Sequence, residues 1–227
     1  MIEILPLEGI PEIGAGDDLA SLIAASAAGF GGLSSKDVVV VTQKVVSKAE
    51  DRLVPAAEKE AAVMAESARV LRRAGTMVIS ETRHGFVCAN AGVDGSNVPE
   101  GSLALLPLDP DASARRLRSR LEHLSGVDIA VIVSDTFGRP WRLGQTDVAI
   151  GVAGIAPFLD YVGRKDTEGR VMTATRICVA DELAGAAELV MGKTERVCAA
   201  IVRGATVTNG RATATEIVRP VEQDLFR

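Results

Sequence analysis

Two segments of the sequence place oxygen-bearing side chains where a metal ion could be held. Asp135 and Thr136 directly follow an apolar run, and ligands of α/β proteins bind where strands end. Residues 91–97 surround Asp94 and Asn97 with glycines, which allow the backbone to approach a ligand closely. Carboxylate and hydroxyl oxygens are the ligands that Mg²⁺ or Mn²⁺ prefers. We therefore predict that Asp94 and Asp135 share one metal site; the alternative is a helix cap at Asp135 and an ordinary turn at Asp94.

Basic side chains near these segments could bind phosphate. Arg139 and Arg142 follow Asp135 within nine residues and could clamp phosphate or carboxylate oxygens. Lys44 and Lys48 follow a β-branched run and share one face if the segment is helical. Such a lysine pair is plausible at a phosphate site, although taken alone it is more often a solvated face.

The common nucleotide-binding and hydrolase motifs do not occur. Gly192-Lys193-Thr194 resembles the end of a Walker A loop, but Ala187 stands where the first glycine is required. The segment also follows an expected helix instead of a strand. No dinucleotide fingerprint follows a strand, and no nucleophile elbow supports Ser-His-Asp catalysis.

Composition excludes several classes of function. Twenty-five basic and 30 acidic residues give a formal net charge of −5, which argues against a duplex nucleic-acid binder. No run approaches the ~18 apolar residues of a membrane span. Cys88, Cys178 and Cys198 form no CxxC pair, and two histidines complete no zinc site. We expect a cytoplasmic protein in which Cys178 and Cys198 are buried small hydrophobes.

The elements that must position these residues alternate irregularly between strand and helix. The apolar run 37–42 reads as a central strand, because it is β-branched throughout and too short for a buried helix. We predict an α/β fold with an α+β-like mixed sheet, formed by residues 1–227 as one domain. Further strands are expected at 2–7, 76–80, 127–133, 171–179 and 197–202, helices at 17–27 (N-cap Asp17), 56–74, 111–124 and 181–191, and irregular segments at 81–99 and 134–145.

Several motifs, in order and over essentially the whole chain, resemble the coenzyme F420-0:L-glutamate ligase family. Because the match consists of long segments in a fixed order, it is far more specific than any one of them. The matching segments are residues 9–12 (GIPE), 42–50 (TQKVVSKAE), 91–97 (AGVDGSN), 134–139 (SDTFGR), 144–147 (GQTD) and 180–184 (ADELA).

The resemblance implies a GTP-dependent ligase that joins L-glutamate to F420-0, in a homodimer of intertwined α/β lobes. It also implies Mg²⁺ or Mn²⁺, stimulation by K⁺, and a chain without the C-terminal flavin-type domain of some relatives. We expect an acyl-phosphate intermediate, catalytic roles for Asp94, Asp135 and Arg139, and weaker acceptor contacts from Arg83 or His84. Carried over by position, the metal ligands are Asp94, Asp135 and Thr136, and the GTP site is lined by Ile10, Pro11, Glu12, Ile13, Gln43, Lys48 and Asn97.

Two departures from the family pattern concern the same region. Gln43 stands where many relatives have Ser, and Lys193 stands where archaeal relatives carry Gln near a second metal. A cation at position 193 opposes metal binding unless it contacts phosphate. The alternatives are the same ligase chemistry on another acid acceptor and a non-catalytic nucleotide-binding regulator.

Overall fold

The computed structural model describes residues 1–225, which form twelve strands and five α-helices. The helices are α1 (Leu19–Ala27), α2 (Gln43–Ala49), α3 (Lys59–Glu66), α4 (Pro110–Ser125) and α5 (Val179–Met191). The strands are β1 (Glu3–Pro6), β2 (Val38–Thr42), β3 (Leu53–Pro55), β4 (Ser67–Ala74), β5 (Met77–Thr82), β6 (Val87–Ala89), β7 (Ser102–Ala104), β8 (Ala130–Arg139), β9 (Arg142–Ala153), β10 (Phe158–Asp160), β11 (Arg176–Cys178) and β12 (Ala199–Arg203).

The centre of the molecule is a five-stranded mixed sheet in the order β1-β12-β2-β8-β9. Strands β2 and β8 are parallel, whereas the other neighbouring pairs are antiparallel. The predicted α/β class with a mixed sheet is confirmed, and β2 is the central strand, as its composition indicates. Smaller sheets are β4-β5-β6, β3-β7 and β10-β11.

Helices cover both faces of the central sheet, which explains the unbroken valine run of β2. Val39 and Val41 pack in a core that includes Ile23 of α1 and Leu121 of α4. Val38 and its neighbours on the opposite face pack against the alanine- and leucine-rich side of α5. A strand buried on both faces needs apolar residues at every position.

A smaller core lies under the strands and helix that follow α2. Val63 of α3 and Val78 of β5 pack with Leu103 and Leu105. Val93, which precedes Asp94, belongs to the same cluster. This second core fixes the base of the Asp94 loop.

The helix predicted over 56–74 is wrong in its second half. Helix α3 ends at Glu66, and β4 begins at Ser67. The register of β4 with β5 runs from Ser67 opposite Thr82 to Ala74 opposite Met77. Hydrogen bonding to this neighbouring strand outweighs the helix propensity of the Ala/Arg-rich stretch, since propensity is a weak prior.

Three other predicted boundaries also change. The segment 134–145, expected to be irregular, forms the distal half of the β8–β9 hairpin. Of the strand predicted at 171–179, only Arg176–Cys178 is a strand. The N-cap of α1 is Asp18, which accepts from the Ser21 N–H at 3.1 Å, one residue after the predicted cap.

Within residues 1–225, no helix combines the length and the apolarity needed to cross a membrane. Cys88 is buried, whereas Cys178 and Cys198 are partly buried and pack against the two large cores. Burial raises the pKa of the thiols to about 12 for Cys88 and Cys178 and to about 11 for Cys198.

Candidate active site

Asp135 lies at the carboxyl end of the parallel strand pair. The last paired residues of β2 and β8 are Thr42 and Ser134, so Asp135 is the first β8 residue beyond the end of β2. From there β8 continues with β9 as a two-stranded ribbon. The prediction of a loop at Asp135 is therefore wrong, but the carboxylate does lie where a neighbouring parallel strand ends.

Helix α2 begins immediately after β2 and directs two lysines toward acidic partners. Lys44 forms an ion pair with Asp94, and Lys48 forms one with Glu12. The two lysines are four residues apart and lie on one helical face, as the sequence predicts. One helix thus joins the Asp94 loop to the N-terminal turn.

The surroundings of Asp135 disfavour the charged form of its carboxyl group. Burial, with smaller contributions from the charges of Asp147 and Asp94, raises its pKa to about 7. The Thr136 N–H and the charge of Lys44 act in the opposite direction. Three carboxylates therefore lie within electrostatic reach of one another, with a lysine among them.

The Asp94 loop is held by unusual backbone geometry. Ala91 and Asn97 adopt left-handed conformations, with φ of 52° and 53°. At Gly92, φ is +76° and an added Cβ would lie 2.7 Å from Leu106 Cγ, so only glycine fits. Burial raises the pKa of Asp94, but hydrogen bonds from Lys44 and Ser96 outweigh it and hold the pKa below its ordinary value.

A second polar cluster, which sequence reasoning missed, surrounds Asp147. Its side chain is 1% exposed and accepts from Ser134 Oγ at 3.0 Å, from Thr136 Oγ1 at 2.6 Å and from Lys193 Nζ at 3.1 Å. Lys193 Nζ also donates to Thr136 Oγ1 at 2.8 Å. The available signal was the place of Asp147 in the matching segment 144–147, directly before the apolar half of β9. A buried carboxylate requires such partners.

Asp135 and Thr136 point to opposite faces of the ribbon, because neighbouring side chains of a strand alternate. Asp135 interacts with Lys44, whereas the Thr136 hydroxyl is bonded to Asp147 and Lys193. The structure thus brings Asp94 and Asp135 together and places the Thr136 hydroxyl on the other side. Lys193 contacts both Thr136 and Asp147 on that side of the ribbon.

The donor chemistry around Asp135 suits Mg²⁺ or Mn²⁺. Asp94 and Asp135 offer oxygen ligands only, and each is within reach of the other's charge. A divalent cation between them would relieve the repulsion that raises the pKa of Asp135. Within residues 1–225 no three His, Cys, Asp or Glu side chains are already arranged for a metal, so binding would require Asp94 to turn from Lys44. With that adjustment, the residues fit a divalent ion.

The residues predicted to line the GTP site differ in how exposed their side chains are and in what they contact. Glu12 and Lys48 are paired, and Ile13 is buried in the large core beside α2. Gln43 is 1% exposed and accepts from Ser47 Oγ at 3.0 Å, so its side chain is hydrogen-bonded within α2. Asn97 donates to the carbonyl of Lys193 at 3.2 Å and thereby connects the Asp94 loop to the Lys193 segment.

The side chains predicted to contact phosphate or the acceptor are bonded to other groups of the protein. Arg139 lies four residues beyond Asp135, about 13 Å along the ribbon, and donates to the Leu143 carbonyl at 3.1 Å. Its Nε is buried without a partner among the described atoms. Arg83 is bonded to Glu66 at 3.0 Å, and His84 Nε2 lies 3.0 Å from the Pro107 carbonyl.

Comparisons with known proteins identify the family of this chain. The family model described as F420-0:Gamma-glutamyl ligase matches residues 9–62 and 55–204. A "Coenzyme F420:L-glutamate ligase" of Methanothermobacter thermautotrophicus is 43% identical over 250 residues, covering 100% of this chain and 99% of that protein. Proteins of the same name from Archaeoglobus fulgidus and Methanopyrus kandleri are 42% and 40% identical, cover 100% of this chain, and are covered over 96% and 97% of their own length.

These matches define the class of the protein as a ligase. The chain belongs to the F420-0:gamma-glutamyl ligase family, as the sequence resemblance implies.

Proposed function

We propose that the protein is a GTP-dependent amide ligase that adds L-glutamate to coenzyme F420-0. The observation that carries the proposal is the placement of Asp94, Asp135 and Lys44 together at the carboxyl end of the central strands. Relatives that match over their whole length are named for ligation of glutamate to coenzyme F420.

Amide formation from a free carboxylate requires activation. In the proposed first step, a carboxylate oxygen of the acceptor forms a bond to the γ-phosphorus of GTP, the bond to the β-phosphate oxygen breaks, and GDP leaves. In the second, the glutamate amine attacks the acyl phosphate carbon, inorganic phosphate leaves, and the amine loses a proton. Positioning and charge stabilisation account for most of the catalysis of such transfers.

The chain's own residues would bind and orient the reacting groups. Asp94 and Asp135 would hold Mg²⁺ or Mn²⁺, which neutralises phosphate charge when bound. Thr136, whose hydroxyl faces the other side of the ribbon, would support the site through its backbone N–H, which is bonded to Asp135. Lys44, released from Asp94, would be free to contact a phosphate oxygen. Arg139 is proposed to bind phosphate or carboxylate after its side chain turns from Leu143.

The nucleotide is proposed to lie between the N-terminal turn and the start of α2. Ile10, Pro11 and Glu12 supply one side, and Lys48 with Asn97 supplies the other. The buried side chains of Ile13 and Gln43 would support these two sides from within. The Lys48–Glu12 pair would open to let the ammonium meet phosphate. Stimulation by K⁺ and assembly as a homodimer belong to the same proposal.

The direct test is incubation of the purified chain with F420-0, L-glutamate, GTP and Mn²⁺, followed by mass spectrometry. A product heavier by one or more glutamate residues, with GDP and phosphate released, supports the ligase. GTP binding without any glutamylated F420-0 would reject F420-0 as acceptor. Replacement of GTP by ATP, or of Mn²⁺ by a chelator, should abolish the product.

A further inference from the structure

A cavity of about 270 Å³ opens on the face of the ribbon that carries Asp135. Its walls come from four parts of the chain: the β5–β6 region (Phe86, Val87), the ribbon (Phe137, Val148), Asp181 at the start of α5, and the C-terminal segment around Val218. Apolar walls with few polar groups are typical of small-molecule sites.

The cavity lies directly beside the proposed reaction centre. Val148 is the register partner of Asp135, and such cross-strand side chains lie about 5 Å apart on one face. Phe137 is two residues from Asp135 and therefore on the same face, about 7 Å along the strand. A ligand in this cavity can extend to Asp135 without crossing the ribbon.

Aromatic rings line the inner part of the cavity. The rings of Phe86 and Phe137 pack edge to face with centroids 6.4 Å apart. The His84 ring stacks on Phe86, with ring centroids 5.8 Å apart. Such rings favour contact with a flat, conjugated ligand.

Three charged residues line the cavity: Arg219, Asp181 and Asp224. The Asp181 carboxylate accepts from the Ala149 N–H at 2.9 Å. Arg219 is exposed, and no ion pair or hydrogen bond within residues 1–225 engages its guanidinium. Arginine is suited to planar, bidentate recognition of phosphate and carboxylate groups. The cavity thus combines an aromatic interior with an anion contact at its edge.

We propose that this cavity is the acceptor pocket: it takes the flat aromatic head of an anionic substrate, places an anionic group at Arg219, and leaves the acceptor carboxylate near Asp135. This rests on the proposed ligase function and names where its acid acceptor binds. The nucleotide, by contrast, would lie on the α2 side of Asp135.

The test compares three variants of the full chain with the unmodified protein. Arg219→Glu reverses the charge at the rim, and Val218→Trp fills the cavity. Arg211→Glu is the matched control, because Arg211 is an exposed arginine of the same C-terminal segment that does not line the cavity. F420-0 is titrated into each protein by calorimetry, and KM is measured separately for F420-0 and for GTP.

We expect Arg219→Glu to raise the Kd and KM for F420-0 by at least about tenfold, a change of ~1.4 kcal/mol. The KM for GTP should stay unchanged, and Arg211→Glu should behave as the unmodified protein. If the unmodified chain glutamylates F420-0 and neither cavity variant changes the F420-0 constants, the pocket assignment is rejected and the ligase function stands. If the unmodified chain forms no product, the proposed function fails, and the acceptor assignment fails with it.

Discussion

Asp135 is the side chain around which the candidate site is arranged, because burial and two neighbouring carboxylates act on it together. Replacement by Asn keeps the size of the side chain and removes the charge that would hold a divalent ion. We expect Asp135→Asn to lower turnover by about 10²-fold or more while the fold persists. Steady-state rates and circular dichroism would check this.

Asp51→Asn is a suitable control for that experiment. Asp51 is exposed and has a φ of 56°, a conformation that Asn tolerates well. Full metal-dependent activity in Asp135→Asn would remove Asp135 from the metal-binding set.

Lys193 supplies the positive charge beside the buried carboxylate of Asp147. Loss of the ammonium in Lys193→Met leaves that carboxylate with hydroxyl partners only. Because Lys193 is half exposed, we expect a modest loss in the free energy of unfolding, about 1–3 kcal/mol. Denaturant titration would measure it.

A double variant identifies the cause of that loss. With Asp147→Asn the buried charge is absent, so Lys193→Met should have little further effect on stability. If Lys193→Met reduced the free energy of unfolding equally in the unmodified protein and in Asp147→Asn, the ion pair would not be responsible for the loss.

The three thiols offer a pH-dependent probe of the folded state. Thiolate is the reactive form, and burial raises the pKa of Cys88 and Cys178 to about 12 and that of Cys198 to about 11. At pH 8 the native protein should therefore react slowly with a disulfide reagent, and faster as pH rises toward 11. Unfolding in denaturant should release all three thiols at once; rapid reaction of Cys88 in the native protein at pH 8 would contradict its burial.

At the scale of elements, the conformation of the Asp94 loop depends on the backbone at Gly92. Gly92→Ala adds a Cβ 2.7 Å from Leu106 in a left-handed conformation. We expect it to reduce the free energy of unfolding by at least about 2 kcal/mol and to reduce turnover, because Asp94 is displaced. Thermal unfolding and steady-state kinetics would measure the two effects.

Gly101→Ala separates backbone strain from crowding. Gly101 has a similar φ of +77°, but nothing lies within 4 Å of an added Cβ. Gly101→Ala should therefore reduce the free energy of unfolding by only about 1 kcal/mol and leave turnover unchanged. If the two variants were equally stable and active, packing against Leu106 would not be what requires glycine at position 92.

The elements differ in how far the sequence predicts them. Strand β2 and helix α4 were predictable: β2 is β-branched throughout, and α4 has Pro110 at its first position, an Asp109 cap and Gly126 at its end. Strand β4 was not, because Ser67–Ala74 reads as helix until β5 is available to pair with it. The ribbon was missed for the same reason, since its polar half has no apolar alternation to mark it.

At the scale of the whole molecule, the ribbon ends in exposed apolar side chains. Trp141 is 87% exposed and Leu143 is 98% exposed, and such side chains often mark an interaction surface. We expect a homodimer, about twice the 23.7 kDa of one chain by light scattering, that Leu143→Glu weakens. A monomeric unmodified protein at micromolar concentration would contradict the dimer.

Leu189→Glu is the control for that surface, because Leu189 is 79% exposed on α5, away from the ribbon tip. It should leave the dimer intact. A dimer that Leu143→Glu leaves unchanged would place the interface elsewhere than the ribbon tip.

The sequence by itself determined the family, the mixed α/β class and the central strand, and it singled out Asp94, Asp135, Lys44 and Lys48 as candidate site residues. These follow from local composition and from motifs in a fixed order, which are present in the chain before it folds. Only the tertiary structure decided that Asp135 and Thr136 face opposite ways, that Asp147 is buried under Lys193, and that a cavity opens beside Asp135. Each of these depends on strand register and on contacts between residues that are tens of positions apart, so no local pattern encodes it.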